Sequence, residues 1–104
     1  MSNYKNSLKI GKSETASKSN MEKELKEEGY DSYSWSDRAG AYYPPHSHMH
    51  DECICVVEGE MSFYINNKEY KLKTGEKLYL PAGTIHEARN KSDKEVFYLV
   101  GEKS

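Results

Sequence analysis

Apolar positions in the second half of the chain recur every two residues, with polar ones between them. Met61, Phe63 and Ile65 alternate with Ser62, Tyr64 and Asn66, a period that turns one face of a β-strand to a core and the other to water. Asn66-Asn67 offers two residues that tolerate positive φ, and Glu69-Tyr70-Lys71-Leu72 follows, so a tight hairpin is predicted. Leu78-Tyr79-Leu80 leads into Pro81-Ala82-Gly83, and residues 95–100 make a closing strand bounded by Gly101. Many short strands at close spacing predict an all-β sandwich or barrel, over about residues 33–101.

The first thirty residues follow a different pattern. Residues 1–20 are rich in Lys, Ser and Asn, with only Leu8 and Ile10 as a possible short strand, and are expected to form a mobile arm unless they dock. Ser19 and Glu22 have capping-box spacing, Met21 and Leu25 make an i,i+4 apolar pair, and Gly29 supplies a stop, which predicts a helix over residues 20–28. That helix is too short to stand alone, so it should pack on the barrel exterior or on a partner subunit. The expected organisation is an arm over residues 1–20 and one domain over residues 21–104.

Composition narrows the function classes. A chain of 104 residues with 36% hydrophobic content fits one domain around one modest core. A formal charge of −2, with Lys and Glu mixed, leaves no electrostatic footprint for nucleic acid and favours small-molecule partners. No run of about 18 apolar residues occurs, and no apolar segment follows the first residues, so neither a membrane span nor a secretory signal is expected and the default location is the cytoplasm. Cys53 and Cys55 are i,i+2 neighbours on one strand face, farther apart than a relaxed disulfide usually allows, and are expected as free thiols. If Glu52 points inward, their parity turns both outward, as small buried residues between the wall and a neighbouring element.

The candidate chemistry lies in His46, His48, Glu52 and His86. Imidazole suits zinc, iron, nickel and copper, and carboxylate suits manganese and other harder ions, so three His and one Glu favour one divalent first-row metal (Fe, Mn, Zn or Ni). His46 and His48 leave the same face of a strand, roughly 6.6 Å apart. Glu52 would lie about 13 Å beyond His48 in a straight strand, too far for a shared ion, so the chain must bend between Met49 and Asp51. The Pro81-Ala82-Gly83-Thr84 turn then aims His86 inward from a distant strand. His50 shares strand parity with His46 and His48 but falls inside the bend, where it is either a ligand or proton shuttle, or a partly exposed residue at a pocket mouth.

Spacing ties these residues together. Gly40, five residues, His46-Ser47-His48, three residues, Glu52, six residues and Gly59 form one half of a bipartite pattern. Gly75, five residues, Pro81-Ala82-Gly83, two residues, His86, three residues and Asn90 form the other. Over residues 35–101 this resembles the cupin superfamily, in its small single-domain form, and no pattern position departs. The resemblance implies a conical double-stranded β-helix, or jelly roll, with His46, His48, Glu52 and His86 as metal ligands. It gives Gly40, Gly59, Gly75, Pro81, Gly83 and Asn90 structural positions, and it implies a homodimer.

Two functions stay open, because the fold does not fix the reaction. One is a metal-dependent enzyme on a small oxygen-bearing substrate, of dioxygenase type first and isomerase or lyase type second; four protein ligands would leave two positions on a six-coordinate ion. Tyr42, Tyr43, Tyr64 and Tyr98 are candidates to line the mouth and donate a hydrogen bond to a bound anion, though each taken singly reads better as wall packing. The other is a non-catalytic module in which the metal holds a metabolite or stabilises the barrel.

Overall fold

Strand-forming segments of four to seven residues, each closed by a turn, build two antiparallel sheets in a computed structural model that describes residues 8–103. In chain order the elements are β1 (Lys9–Lys12), α1 (Lys18–Glu27), β2 (Asp31–Asp37), β3 (Tyr42–His46), β4 (Glu52–Glu58), β5 (Glu60–Ile65), β6 (Lys68–Lys73), β7 (Glu76–Leu80), β8 (His86–Arg89) and β9 (Val96–Glu102). One sheet runs β1-β7-β4-β9-β2 and the other β3-β8-β5-β6. Their facing sides hold the main core, where Ile54, Val56, Met61, Leu72, Leu78 and Val96 are all buried.

The two-residue hairpin is where the alternation places it. Ile65 pairs with Lys68, and Asn66 and Asn67 adopt φ 53° and 65°, the left-handed pair that matches the twist of the flanking strands. Gly59 has the most demanding backbone: at φ 100°, a Cβ there would lie 3.0 Å from the Glu95 carbonyl oxygen and 3.1 Å from the Val96 Cα. Only a residue without a side chain lets β4 turn into β5 against the start of β9.

Strand β4 is buried on both sides, which explains its unbroken apolar run. Ile54 and Val56 face the core between the sheets, whereas Cys53 and Cys55 face outward beneath α1 and join Met21, Leu25, Tyr30 and Leu99 in a second cluster. Both cysteines are free thiols with their Sγ atoms 3.9 Å apart. Met21 and Leu25 are fully buried, a gain of about 1.5–3 kcal/mol for each side chain that offsets the weakness of a ten-residue helix.

The helix differs from the sequence expectation at its start. Ser17, not Ser19, is the N-cap, accepting from the Asn20 N–H at 3.2 Å, and the helix begins at Lys18 instead of residue 20. A Lys18–Glu22 pair at 3.2 Å and the Asn20 amide bonding the Thr15 carbonyl hold the earlier turn, and Glu22 extends its carboxylate to Lys18 instead of closing a capping box. At the other end Tyr30 N–H donates to Leu25 O at 2.9 Å and Gly29 N–H to Lys26 O at 3.0 Å, with Gly29 at φ 93°. This is a glycine-dependent stop that also seats Tyr30 on Leu25.

The expected mobile arm is docked in its described part; residues 1–7 lie outside the described residues. Lys9–Lys12 pairs antiparallel with β7, and Ser13 N–H donates to Gly75 O. Lys77, its side chain 5% exposed, reaches Glu24 at 2.7 Å, and Ser13 Oγ donates to the same carboxylate at 2.8 Å. Burial alone would raise the Glu24 pKa, but these two partners hold it down at about 2. Among the described residues, no helix is long and apolar enough to cross a membrane.

Candidate metal centre and the cavity it faces

His46 ends β3 and pairs directly across from His86, the first residue of β8. The loop that follows β3 carries His48 and bends back at residues 49–51, so that β4 begins with Glu52 beside the histidines, its carboxylate grouped with His50 and Glu102. Two contacts hold the bend against the Pro-Ala-Gly turn. Gly83 N–H donates to His48 O at 2.9 Å, and Ala82 N–H donates to the Asp51 carboxylate at 2.8 Å.

The three imidazoles converge. His46, His48 and His86 each offer a ring nitrogen, and those atoms lie within 4.8 Å of one another. Ring centroids are 4.3 Å apart for His46 and His86, 5.0 Å for His46 and His48, and 5.5 Å for His48 and His86. Nδ1 of His46 sits 2.7 Å from Pro44 O, and Nδ1 of His86 sits 2.9 Å from Thr84 O. A carbonyl can only accept, so each Nδ1 carries the proton and each Nε2 keeps a free lone pair, the tautomer that ligates a metal. Burial, and then the neighbouring histidines, lower the pKa of His48; burial also lowers that of His86 despite its bond to Thr84. The donor set therefore fits a divalent transition metal.

Glu52 stands beside this group, with Oε1 3.6 Å from His48 Nε2 and only 4% of its surface exposed. Its other oxygen faces His50 Nε2 at 3.9 Å, and His50 in turn lies 3.6 Å from Glu102. His50 stacks near His48, with ring centroids 6.1 Å apart, at the rim of the site.

A cavity of about 240 Å³ opens at the histidines and runs between the sheets, with Ile54, Met61, Phe63 and Val100 on its walls. Tyr43 and Tyr98 line it, but Tyr42 and Tyr64 do not. A register shift between Tyr43 and His46, at Pro44-Pro45 on an edge strand, turns both Tyr43 and His46 inward although they are three residues apart. Tyr42 is left outside, donating to Glu87 at 2.6 Å, and Tyr64 lies on the outer face of β5 beneath Lys91.

Tyr43 and Tyr98 also differ from the sequence expectation in chemistry. Their hydroxyls are already committed, donating to Asp37 at 2.6 Å and 2.5 Å. Burial and then the Asp37 bond push both phenols up in pKa, which keeps their protons on. The sequence reading missed Asp37, Trp35 and Tyr33. Their i,i+2,i+4 spacing puts all three on one face of β2, but that strand carries serines between them and no aliphatic core residue. Asn90 is fully buried and fixes the same corner: its amide donates to Lys94 O at 2.8 Å and Arg38 O at 3.1 Å, and its carbonyl accepts from Ser92.

Known proteins share this architecture. The model of the cupin domain family matches residues 35–101. Among solved structures, the DMSP lyase DddQ from Ruegeria pomeroyi DSS-3 superposes with a TM-score of 0.66 at 27% identity, over 73% of this chain and 39% of that one. A cupin-2 domain containing protein from Shewanella frigidimarina NCIMB 400 superposes with a TM-score of 0.63 at 22% identity, over 72% of this chain and 71% of that one. An uncharacterized protein of Aquifex aeolicus strain VF5 is 33% identical over 57 residues, 54% of this chain and 47% of its own length, so the chain spans about half of the curated relative it matches. With the family model covering well over half of its length, the chain belongs to the cupin family.

Proposed function

We propose that this cupin binds one divalent first-row transition metal ion through His46, His48, His86 and Glu52, and acts as a metal-dependent enzyme on a small oxygen-bearing molecule held in the cavity. The observation that carries this reading is the convergence of three imidazole nitrogens within 4.8 Å, two of them with Nδ1 protons pinned to backbone carbonyls. A bound ion would supply Lewis acidity to an oxygen of the ligand. The chain's own residues orient that oxygen end at the histidines, exclude water with Phe63, Ile54 and Met61, and keep the Glu52 carboxylate buried beside His48.

The likeness to a DMSP lyase favours an elimination or isomerisation over the dioxygenase type that comes first from sequence. A non-catalytic metabolite-binding module is the second reading. It draws on the cavity phenols, which hold their protons and give no free base. Reconstitution with Fe, Mn, Zn and Ni, followed by a screen of small hydroxy and carboxylate compounds for proton release, alkene formation or oxygen consumption, separates these. Turnover without oxygen uptake is the expected result. Oxygen uptake assigns the dioxygenase type instead, and binding without turnover assigns the module.

A further inference from the structure

Behind the cavity wall sits a carboxylate, Asp37, held by three residues that line the cavity, Trp35, Tyr43 and Tyr98. Asp37, 9% exposed, accepts from Tyr43 at 2.6 Å, Tyr98 at 2.5 Å and Trp35 Nε1 at 3.3 Å. Each of those donors has one hydrogen, and each is used; the Trp35 N–H also leans on Tyr43 Oη at 3.2 Å. The wall therefore has no N–H or O–H of Trp35, Tyr43 or Tyr98 left for a bound molecule. What it offers is phenol lone pairs and aromatic faces, backed by a carboxylate that takes part in no salt bridge among the described residues. A negative charge in a sparsely hydrated corner attracts cations more strongly than one in water.

The distribution of the chain's own cations points the same way. Tyr30, Tyr42, Tyr64, Tyr70 and Tyr79, none of which lines the cavity, each carry a Lys or Arg over the ring, at 4.6–5.7 Å. Tyr33, Trp35, Tyr43 and Tyr98, which line it, carry none among the described residues. The aromatic faces left without a cation are the ones a ligand can reach, and Tyr33 and Trp35 are each about half exposed.

We propose that Asp37 and the Trp35, Tyr43 and Tyr98 rings in front of it form a subsite for an organic cation, an alkylammonium or similar onium group, at the end of the cavity away from the histidines. Strand register sets the two ends apart. Glu52 pairs with Glu102 and Val56 with Tyr98, four residues or roughly 13 Å along the strands. The substrate class that follows is a two-headed molecule with an oxygen end for the histidine cluster and an onium end for Asp37. The oxygen end rests on the metal reading above; the cation subsite does not.

Choline and its uncharged isostere 3,3-dimethylbutan-1-ol have the same shape and differ in charge, and Trp35, the sole tryptophan, reports binding by its fluorescence. Titration of the wild-type protein, with and without cobalt loaded, is expected to give choline at least a tenfold tighter Kd in both forms. Asp37→Asn, checked for folding by circular dichroism, should bring the ratio close to one. Equal binding, no binding of choline, or preference for the isostere in wild type overturns the subsite without recourse to any variant, as does a preference that survives in folded Asp37→Asn. Failure of the metal reading shows separately, as absence of cobalt uptake with the choline preference intact.

Discussion

Oε1 of Glu52 stands 3.6 Å from Nε2 of His48, and the carboxylate is held there with almost no exposure to water. Burial, and after it the neighbouring Glu102, raise the Glu52 pKa. A carboxylate whose folded pKa lies above its unfolded one binds more protons folded than unfolded between the two values, so stability falls as pH rises through that window. Without metal, Glu52 thus works against the fold at neutral pH. Glu52→Gln should raise the melting temperature of the metal-free protein while weakening metal uptake, and calorimetry with metal titration on both forms checks this. A variant less stable than wild type without metal contradicts the electrostatic argument.

His48 and His86 carry the opposite sign. Both have folded pKa values lowered by burial, so the unfolded chain takes up protons first on acidification. Their contribution is present above the ordinary histidine range and is lost as pH falls through it. Metal affinity should also fall on acidification, because only neutral imidazole ligates. Metal retention measured from pH 8 to pH 5 is expected to hold at about 6.5, the ordinary histidine value, and to drop only below it, where the folded imidazoles take up protons. Retention unchanged to pH 5 argues against histidine ligation.

His86→Ala removes the best-buried imidazole. At metal a hundredfold above Kd, wild type gains about 2.7 kcal/mol from mass action, which the variant should lack. The comparison needed is the melting shift on metal addition, wild type against variant, and equal shifts would show that His86 is no ligand.

Much of this arrangement is legible from spacing. His46, His48 and His86 converge where a bend and a turn bring them, with Glu52 beside His48, because strand rise is fixed and the spacing leaves the chain no straight path. What spacing cannot give is the irregular register. Tyr42 and Tyr43 are equivalent candidates by sequence, and only the shift at Pro44-Pro45 sends one to the cavity and the other to Glu87. The helix start was two residues off because two serines compete and the contacts of Thr15 and Lys18 decide between them. Asp37 is not legible in the sequence, because a lone Asp at a strand end has the pattern of turn chemistry and its three donors, Trp35, Tyr43 and Tyr98, meet it only in the fold.

The outer helix protects the thiols. Leu25→Ala should cost about 2–5 kcal/mol and speed labelling of Cys53 and Cys55 by a thiol reagent, while leaving metal stoichiometry unchanged in the folded protein. Unchanged labelling rates would mean that α1 does not gate that cluster.

Gly59 is a purely conformational test. Gly59→Ala adds a Cβ 3.0 Å from the Glu95 carbonyl at a φ of 100°, so a loss of about 1–3 kcal/mol is expected, with the metal affinity of the folded fraction unchanged. A neutral result in denaturant titration would show that the β4–β5 turn relaxes freely.

The most direct measurement is X-ray absorption at the metal edge of protein reconstituted with one equivalent of zinc or iron. Three imidazole ligands with one or more oxygen ligands, at one ion per chain, is the predicted result. An ion with no histidine scattering, or a protein that retains no ion at all, would contradict the account.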